Sequence, residues 1–226
     1  MKDLHSGMAP SSDQHLNGCG IPGGAYPTDC ELTEALRNRA MARNRPLERS
    51  TAWMAALPQA RQVKLLLLDV DGVLTDGAIT YLSGGGEAKS FNTQDGLGIK
   101  LLQESGVAVG IITARSSEAV ERRARDLKLA HVVQGQQDKL TAYEAILKQT
   151  GLRPPQTGYM GDDLMDLPLL NRVGFAAAPA NAVAEIRQRV HYIAEREGGR
   201  GAVREICDLI LEAQGNLTRM QAKFDR

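Results

Sequence analysis

Cysteine is scarce in this chain of 226 residues, with only Cys19, Cys30 and Cys207. An odd, widely scattered set gives neither zinc spacing nor a disulfide framework, so a reducing cytoplasm is the expected compartment. Excess charge is missing too. Lys and Arg total 27 against 27 Asp and Glu, so no global field favours nucleic acid or an anionic membrane as a partner. No run of ~18 or more apolar residues occurs, which argues against a membrane-spanning helix. The opening segment also lacks the apolar block of a secretory signal.

The length accommodates one ordinary domain plus extra segments. Residues 1–27 are rich in Gly, Ser, Pro and Asn and read as a disordered tail. Residues 28–60 read as a helical extension. Thr28-Asp-Cys-Glu31 forms a capping box opening a helix to about Met41, and a second short helix is expected from about Glu48 to Leu57. From residue 61 to 215 the pattern alternates between strand and helix, and residues 216–226 are left as a tail. Strands are expected at 64–70, 107–112, 131–133, 157–160, 173–177 and 191–193. Helices are expected near 97–105, 117–128, 138–150, 164–171 and 181–188. Such alternation predicts an α/β fold, a parallel sheet with helices on both faces. Short strand-like runs flank Ser83-Gly-Gly-Gly86, so residues 78–91 read as a hairpin insert, too small to cap a substrate.

The chemistry is concentrated where strands end. Lys64-Leu-Leu-Leu-Leu-Asp69 runs an apolar strand into Asp69 and Asp71, with Gly72 behind them. Side chains two apart share one face of a strand, and ligands of open α/β folds bind beyond the strands' carboxyl ends. Two acids there can hold a hard cation, and one can attack phosphorus. Gly158-Tyr-Met-Gly-Asp162 repeats the theme and adds Asp163 and Asp166. Between the two lie Thr113, at the end of an apolar strand, and Lys139, which taken alone reads as a solvated lysine at a helix start.

In this order, Asp-x-Asp-Gly, Thr, Lys and Gly-Asp-Asp-x-x-Asp, the segments resemble those of the haloacid dehalogenase superfamily of phosphotransferases. The likeness spans roughly residues 60–215. It implies a Mg2+-dependent phosphatase in which Asp69 is nucleophile and ligand, and Asp71 is acid and base and offers its backbone carbonyl to the metal. Asp162 is then the third ligand, Thr113 and Lys139 contact the phosphoryl group, and Asp163 and Asp166 support the ligands. Phe91-Asn-Thr-Gln-Asp-Gly96 and Gly198-Gly-Arg-Gly201 extend the resemblance to a branch with small inserts. Members of that branch are tetramers acting on a small phosphorylated sugar acid of eight carbons in lipopolysaccharide synthesis. A nine-carbon keto-acid phosphate, or a non-catalytic assembly role, are the alternatives. The resemblance puts substrate contacts at Asn92, Thr93, Gln94, Asp95, Gly96, Lys100, Arg115, Arg123 and Lys139. Arg115 and Arg123 suit a substrate carrying a carboxylate and a phosphate. Gly198, Gly199 and Gly201 read as a hinge that delivers Arg200 to a neighbouring subunit. Two departures from the family pattern, Ala114 and Lys100, bear on substrate preference alone.

Overall fold

The computed structural model describes residues 28–43 and 48–225. The expected tail at 1–27 lies outside them. Contacts divide the chain into two units, residues 1–48 and 49–226. In the first, helix α1 (Asp29–Arg43) opens with the expected capping box. Thr28 N–H donates to Glu31 Oε2 at 2.7 Å, and Glu31 N–H donates to Thr28 Oγ1 at 3.3 Å.

The second unit begins earlier than the sequence pattern suggested. Helix α2 (Thr51–Ala60), capped by Ser50 rather than starting near Glu48, belongs to the domain and not to the extension. Its Trp53, Ala56 and Ala60 are buried in the main core. Arg49 stacks 3.9 Å over the Trp53 ring and pairs with Glu212. Pro58 sits inside this helix without ending it there.

Six parallel strands follow: β1 (Leu65–Leu68), β4 (Ala108–Ile112), β5 (His131–Val133), β6 (Thr157–Met160), β7 (Phe175–Ala178) and β8 (Tyr192–Ile193). Their order is β5-β4-β1-β6-β7-β8, so the chain builds outward from β1 on one side, then returns to build on the other. That reversal makes the crevice beside β1 a ligand site in open α/β sheets. Every β1 residue is buried, and alternation sends Leu66 and Leu68 into one core and Leu65 and Leu67 into the other. The first core holds α2, α3 (Thr93–Glu104), α4 (Glu118–Asp126) and α8 (Ala202–Ala213). The second holds α5 (Lys139–Thr150), α6 (Leu167–Leu170) and α7 (Ala184–Arg187).

Several elements differ from expectation. The helix expected over 164–171 is a 3-10 turn (Leu164–Asp166) followed by the short α6. The hairpin strands, β2 (Thr80–Tyr81) and β3 (Glu87–Ala88), pair through only Thr80 with Ala88 and Tyr81 with Glu87. The segment after residue 216 is no loose tail: it forms α9 (Leu217–Gln221), with Met220 fully buried in the main core. The glycines at 198–201 form no hinge either. A Cβ on Gly198 would stand 1.7 Å from the carbonyl oxygen of Gly72, and Gly199 N–H donates to Val73 at 2.9 Å. This segment therefore lies tightly against the loop that follows β1 in its own chain.

Candidate active site

Asp69 leaves β1 with its N–H donated to Met160 at 3.0 Å, which continues the β1–β6 ladder by one residue. Thr113 leaves β4 in the same way, donating to Val133 at 2.9 Å. Gly161 and Asp162 follow β6. The carboxyl ends of three adjacent strands thus meet around one cleft of about 270 Å3, lined by Asp69, Asp71, Thr113, Arg115, Lys139, Asp162, Asp163 and Asp166 among others.

Lys139 is the centre of this arrangement, and it is no solvated lysine. Only 3% of its side chain is exposed, and Nζ lies 2.9 Å from Asp69 Oδ1 and 2.6 Å from Asp166 Oδ1. Burial alone pulls its pKa down, but the charges of Asp69 and Asp166 outweigh that and leave it raised. The pKa of Asp69 is also raised, but here that disfavours the charged form: burial, then the charge of Asp166, lift it to about 6 against the pull of Lys139. Asp162 rises to about 7 through burial and the nearby charges of Asp69 and Asp166. These carboxylates need more positive charge than the protein supplies.

Asp69, Asp162 and Asp166 each offer a carboxylate oxygen within 4.8 Å of the others, the spacing of a metal site. Asp166 is already saturated, however. Its Oδ1 accepts from Lys139 Nζ and from Tyr159 Oη at 2.6 Å, and its Oδ2 accepts from the N–H groups of Asp162 at 2.9 Å and Asp163 at 3.2 Å. These bonds tie the loop carrying Asp162 and Asp163 to Lys139 and Tyr159. Asp162 differs: its Oδ1 is buried with no hydrogen-bond partner among the described residues. An orphaned buried carboxylate oxygen beside Asp69, in an all-oxygen setting, fits a hard divalent cation. Gly72 leaves the room, since a Cβ there would come within 2.0 Å of Asp162 Oδ2, and its φ of +88° suits glycine. Asp163 is exposed and caps the 3-10 turn through Leu164 N–H at 2.7 Å.

Asp71 reaches the cleft but is held from the side. Its Oδ1 is ion-paired with Lys89, and its Oδ2 lies 3.7 Å from Arg115 Nε. Arg115 is the one expected arginine on the cleft, and its guanidinium also donates to Glu87 Oε2 at 2.8 Å.

Apart from Arg115 and Lys139, the expected substrate contacts are absent from the lining of the cleft. Asn92 caps α3, accepting from Gln94 N–H at 2.7 Å and donating to the Gly199 carbonyl at 3.3 Å. Asp95 is buried and accepts from Arg204 N–H at 2.8 Å, capping the first turn of α8. Burial raises its pKa despite that bond. Arg123 donates to the Asn92 carbonyl at 3.0 Å and lies over Phe91, where Gly96 leaves space for it. Thr93, Gln94 and Lys100 are exposed on α3. Arg200 is 65% exposed beside Glu197 and Asp76, at 3.6 and 4.0 Å.

Sequence reasoning missed Lys89, Glu87 and Tyr159. For the hairpin pair a signal existed: alternation in Glu87-Ala-Lys-Ser-Phe91 puts both charges on the face of an apolar ring. A tyrosine inside an apolar strand similarly needs a partner for its hydroxyl.

Comparisons with known proteins agree with this geometry. Residues 128–206 match the family model for haloacid dehalogenase-like hydrolases. The chain is 45% identical to the 3-deoxy-D-manno-octulosonate 8-phosphate phosphatase of Yersinia pestis over 161 residues, 71% of this chain and 86% of that protein. A crystal structure of the Moraxella catarrhalis enzyme, in complex with a magnesium ion, phosphate and KDO, superposes with a TM-score of 0.74. It shares 45% identity and covers 75% of this chain and 97% of that one. A probable YrbI-family phosphatase from Pseudomonas syringae superposes with a TM-score of 0.75 at 44% identity, covering 76% and 98%. The chain therefore belongs to the 3-deoxy-D-manno-octulosonate 8-phosphate phosphatase family of haloacid dehalogenase-like hydrolases.

Proposed function

We propose that this protein is a Mg2+-dependent phosphatase that hydrolyses 3-deoxy-D-manno-octulosonate 8-phosphate to the free sugar acid and inorganic phosphate, in lipopolysaccharide precursor synthesis. The observation that carries the reading is the cluster of Asp69, Lys139 and Asp162 at the carboxyl edge of the sheet, with Asp71 two residues beyond Asp69. Asp69 and Asp162 hold the cation, with the Asp71 carbonyl. The ion supplies charge that offsets repulsion between the Asp69 carboxylate and the phosphate dianion.

The residues then divide the work. An oxygen of Asp69 attacks phosphorus as the bond to the sugar oxygen breaks, and Asp71 gives its proton to the departing alkoxide. Asp71 next takes a proton from water, which attacks the aspartyl-phosphate and frees phosphate and Asp69. Lys139 steadies Asp69 throughout, and the Thr113 hydroxyl donates to a phosphoryl oxygen. Arg115 grips the substrate carboxylate as a planar fork.

The assembly is a homotetramer of the cytoplasm in this reading. A two-pair hairpin cannot bury its apolar side chains alone, and Ile79, Tyr81 and Leu82 are exposed on it, Tyr81 at 73%. Asn92, Thr93, Gln94, Asp95, Gly96, Lys100, Arg123 and Arg200 do not line the cleft of one subunit, and of these Thr93, Gln94, Lys100 and Arg200 are exposed to a neighbour. Asp163 and Asp166 support the loop. No helix among the described residues is long and apolar enough to cross a membrane.

Phosphate release with Mg2+ tests the reading on a panel of octulosonate 8-phosphate, nine-carbon keto-acid 9-phosphates and hexose phosphates. Strong preference for the octulosonate is expected. Turnover of nine-carbon acids alone would keep the chemistry and change the substrate, and no release from any would leave an assembly role.

A further inference from the structure

Lys89 is the least expected feature of the molecule. It belongs to a hairpin whose residues are mostly exposed, yet only 1% of its own side chain is. Burying an ammonium is unfavourable unless opposite charge meets it. Two acids do: Asp71, to which Nζ donates directly, and Glu87, whose Oε1 is 3.6 Å away. Glu87 in turn holds Arg115 at 2.8 Å, and Arg115 Nε stands 3.7 Å from the second oxygen of Asp71. The four side chains close a ring, with Asp71 as its only member from the β1 loop.

Asp71 depends on this ring. Its side chain has no hydrogen-bond donor other than Lys89 among the described residues, and the Arg115 contact is longer than a hydrogen bond. Nothing in the β1 loop itself fixes where the carboxylate points. Lys89 does not line the cleft, so it is not built to touch substrate.

We propose that Lys89 is a positioning residue for Asp71, through which the hairpin sets the geometry of the proton-transferring carboxylate. The inference deepens the functional reading above and rests on its role for Asp71. A misplacement of ~1 Å costs a well-ordered site up to about a hundred-fold in rate. A residue that acts by orienting another lowers kcat, not substrate binding.

The test is a double-mutant cycle on the full-length protein, combined with 15N NMR of lysine side chains. Lys89→Met is expected to lower kcat about ten- to a hundred-fold with KM changed less than about three-fold. Lys89→Arg, which restores the charge and donors, recovers most of the loss. In an Asp71→Asn background, Lys89→Met adds less than about a three-fold loss, because the group it positions is already disabled. Equal losses in both backgrounds, or a rise in KM as large as the fall in kcat, would overturn the proposal. The NMR arm needs no turnover and no Met variant. Wild type should give a slowly exchanging Nζ signal that Lys89→Arg removes and that Asp71→Asn shifts or abolishes. A signal unmoved by Asp71→Asn also refutes the proposal. If wild type cleaves no phosphate monoester, the functional reading fails, while the NMR arm still decides the pairing of Lys89 with Asp71.

Discussion

The ammonium of Lys139 and the carboxylate of Asp166 meet at 2.6 Å, with 3% and 1% of their side chains exposed. One contact joins the start of α5 to the loop after β6 beneath the floor of the cleft, and Asp69 completes it from β1 at 2.9 Å. Removing Lys139 would strand two carboxylates in a dry setting. Breaking a buried pair from one side typically destabilises by about 3–5 kcal/mol. Lys139→Met should therefore show that order of loss in urea unfolding, and at least a hundred-fold lower phosphate release, on the order of what a lost electrostatic contact to the reacting group costs. Unchanged unfolding would mean that the pair is not formed in solution.

Asp166 makes a sharper case, because its substitution can leave the packing intact. In Asp166→Asn the amide nitrogen must face either Lys139 and Tyr159 or the N–H groups of Asp162 and Asp163, each of which donates to Asp166 in the native site. The loop carrying Asp162 loses its brace. Mg2+ affinity, measured by calorimetry, should fall about ten- to a hundred-fold, as for other partners of metal ligands. An unchanged affinity would assign Asp166 to folding alone.

Much of this was legible in the sequence, for physical reasons. The run of leucines at 65–68 can be buried on two faces only in a parallel sheet, and strand ends in such sheets converge, which is why Asp69 and Asp162 were found together. Burial is harder to read. Lys139 follows a capping Asp138 as any surface lysine might, and only the approach of Asp69 and Asp166 from elsewhere encloses it. Asn92 and Asp95, placed as substrate contacts by resemblance alone, have a second role that the sequence hides. Both also cap helices, and the partner of Asp95 is Arg204, 109 residues away. The hairpin charges were passed over because a glycine-rich insert reads as solvent-facing, although their alternation with Phe91 was visible.

The acids of the cleft predict an unusual pH response. Asp69 and Asp162 are raised from 3.8 to about 6 and about 7, so the folded protein binds protons that the unfolded chain releases. Their contribution to stability is full below about pH 4 and is lost as pH rises through about 6 to 7. Without metal, the melting temperature should carry a component that falls across this window. Added Mg2+ should reverse it, more strongly at the alkaline end, where no proton has to leave before binding. Asp162→Asn should remove both the Mg2+ response and its share of the slope. A Mg2+ shift that survives in Asp162→Asn would place the cation elsewhere.

The tight seating of the 198–201 segment carries the last prediction. A Cβ on Gly198 would stand 1.7 Å from the Gly72 oxygen and 2.5 Å from its carbonyl carbon, both backbone atoms that no rotamer change can clear. The main chain must move, and Gly72 is bonded to Asp71. Gly198→Ala is thus expected to lower stability by about 1–3 kcal/mol, the range for overpacked sites, and to lower kcat as well. Gly84→Ala is the control, because nothing among the described residues lies within 4 Å of a Cβ there. Melting curves and phosphate release on the two variants decide the matter. If Gly198→Ala behaves like Gly84→Ala, the segment does not rest on the loop of its own chain in solution and is free to serve a neighbouring subunit instead.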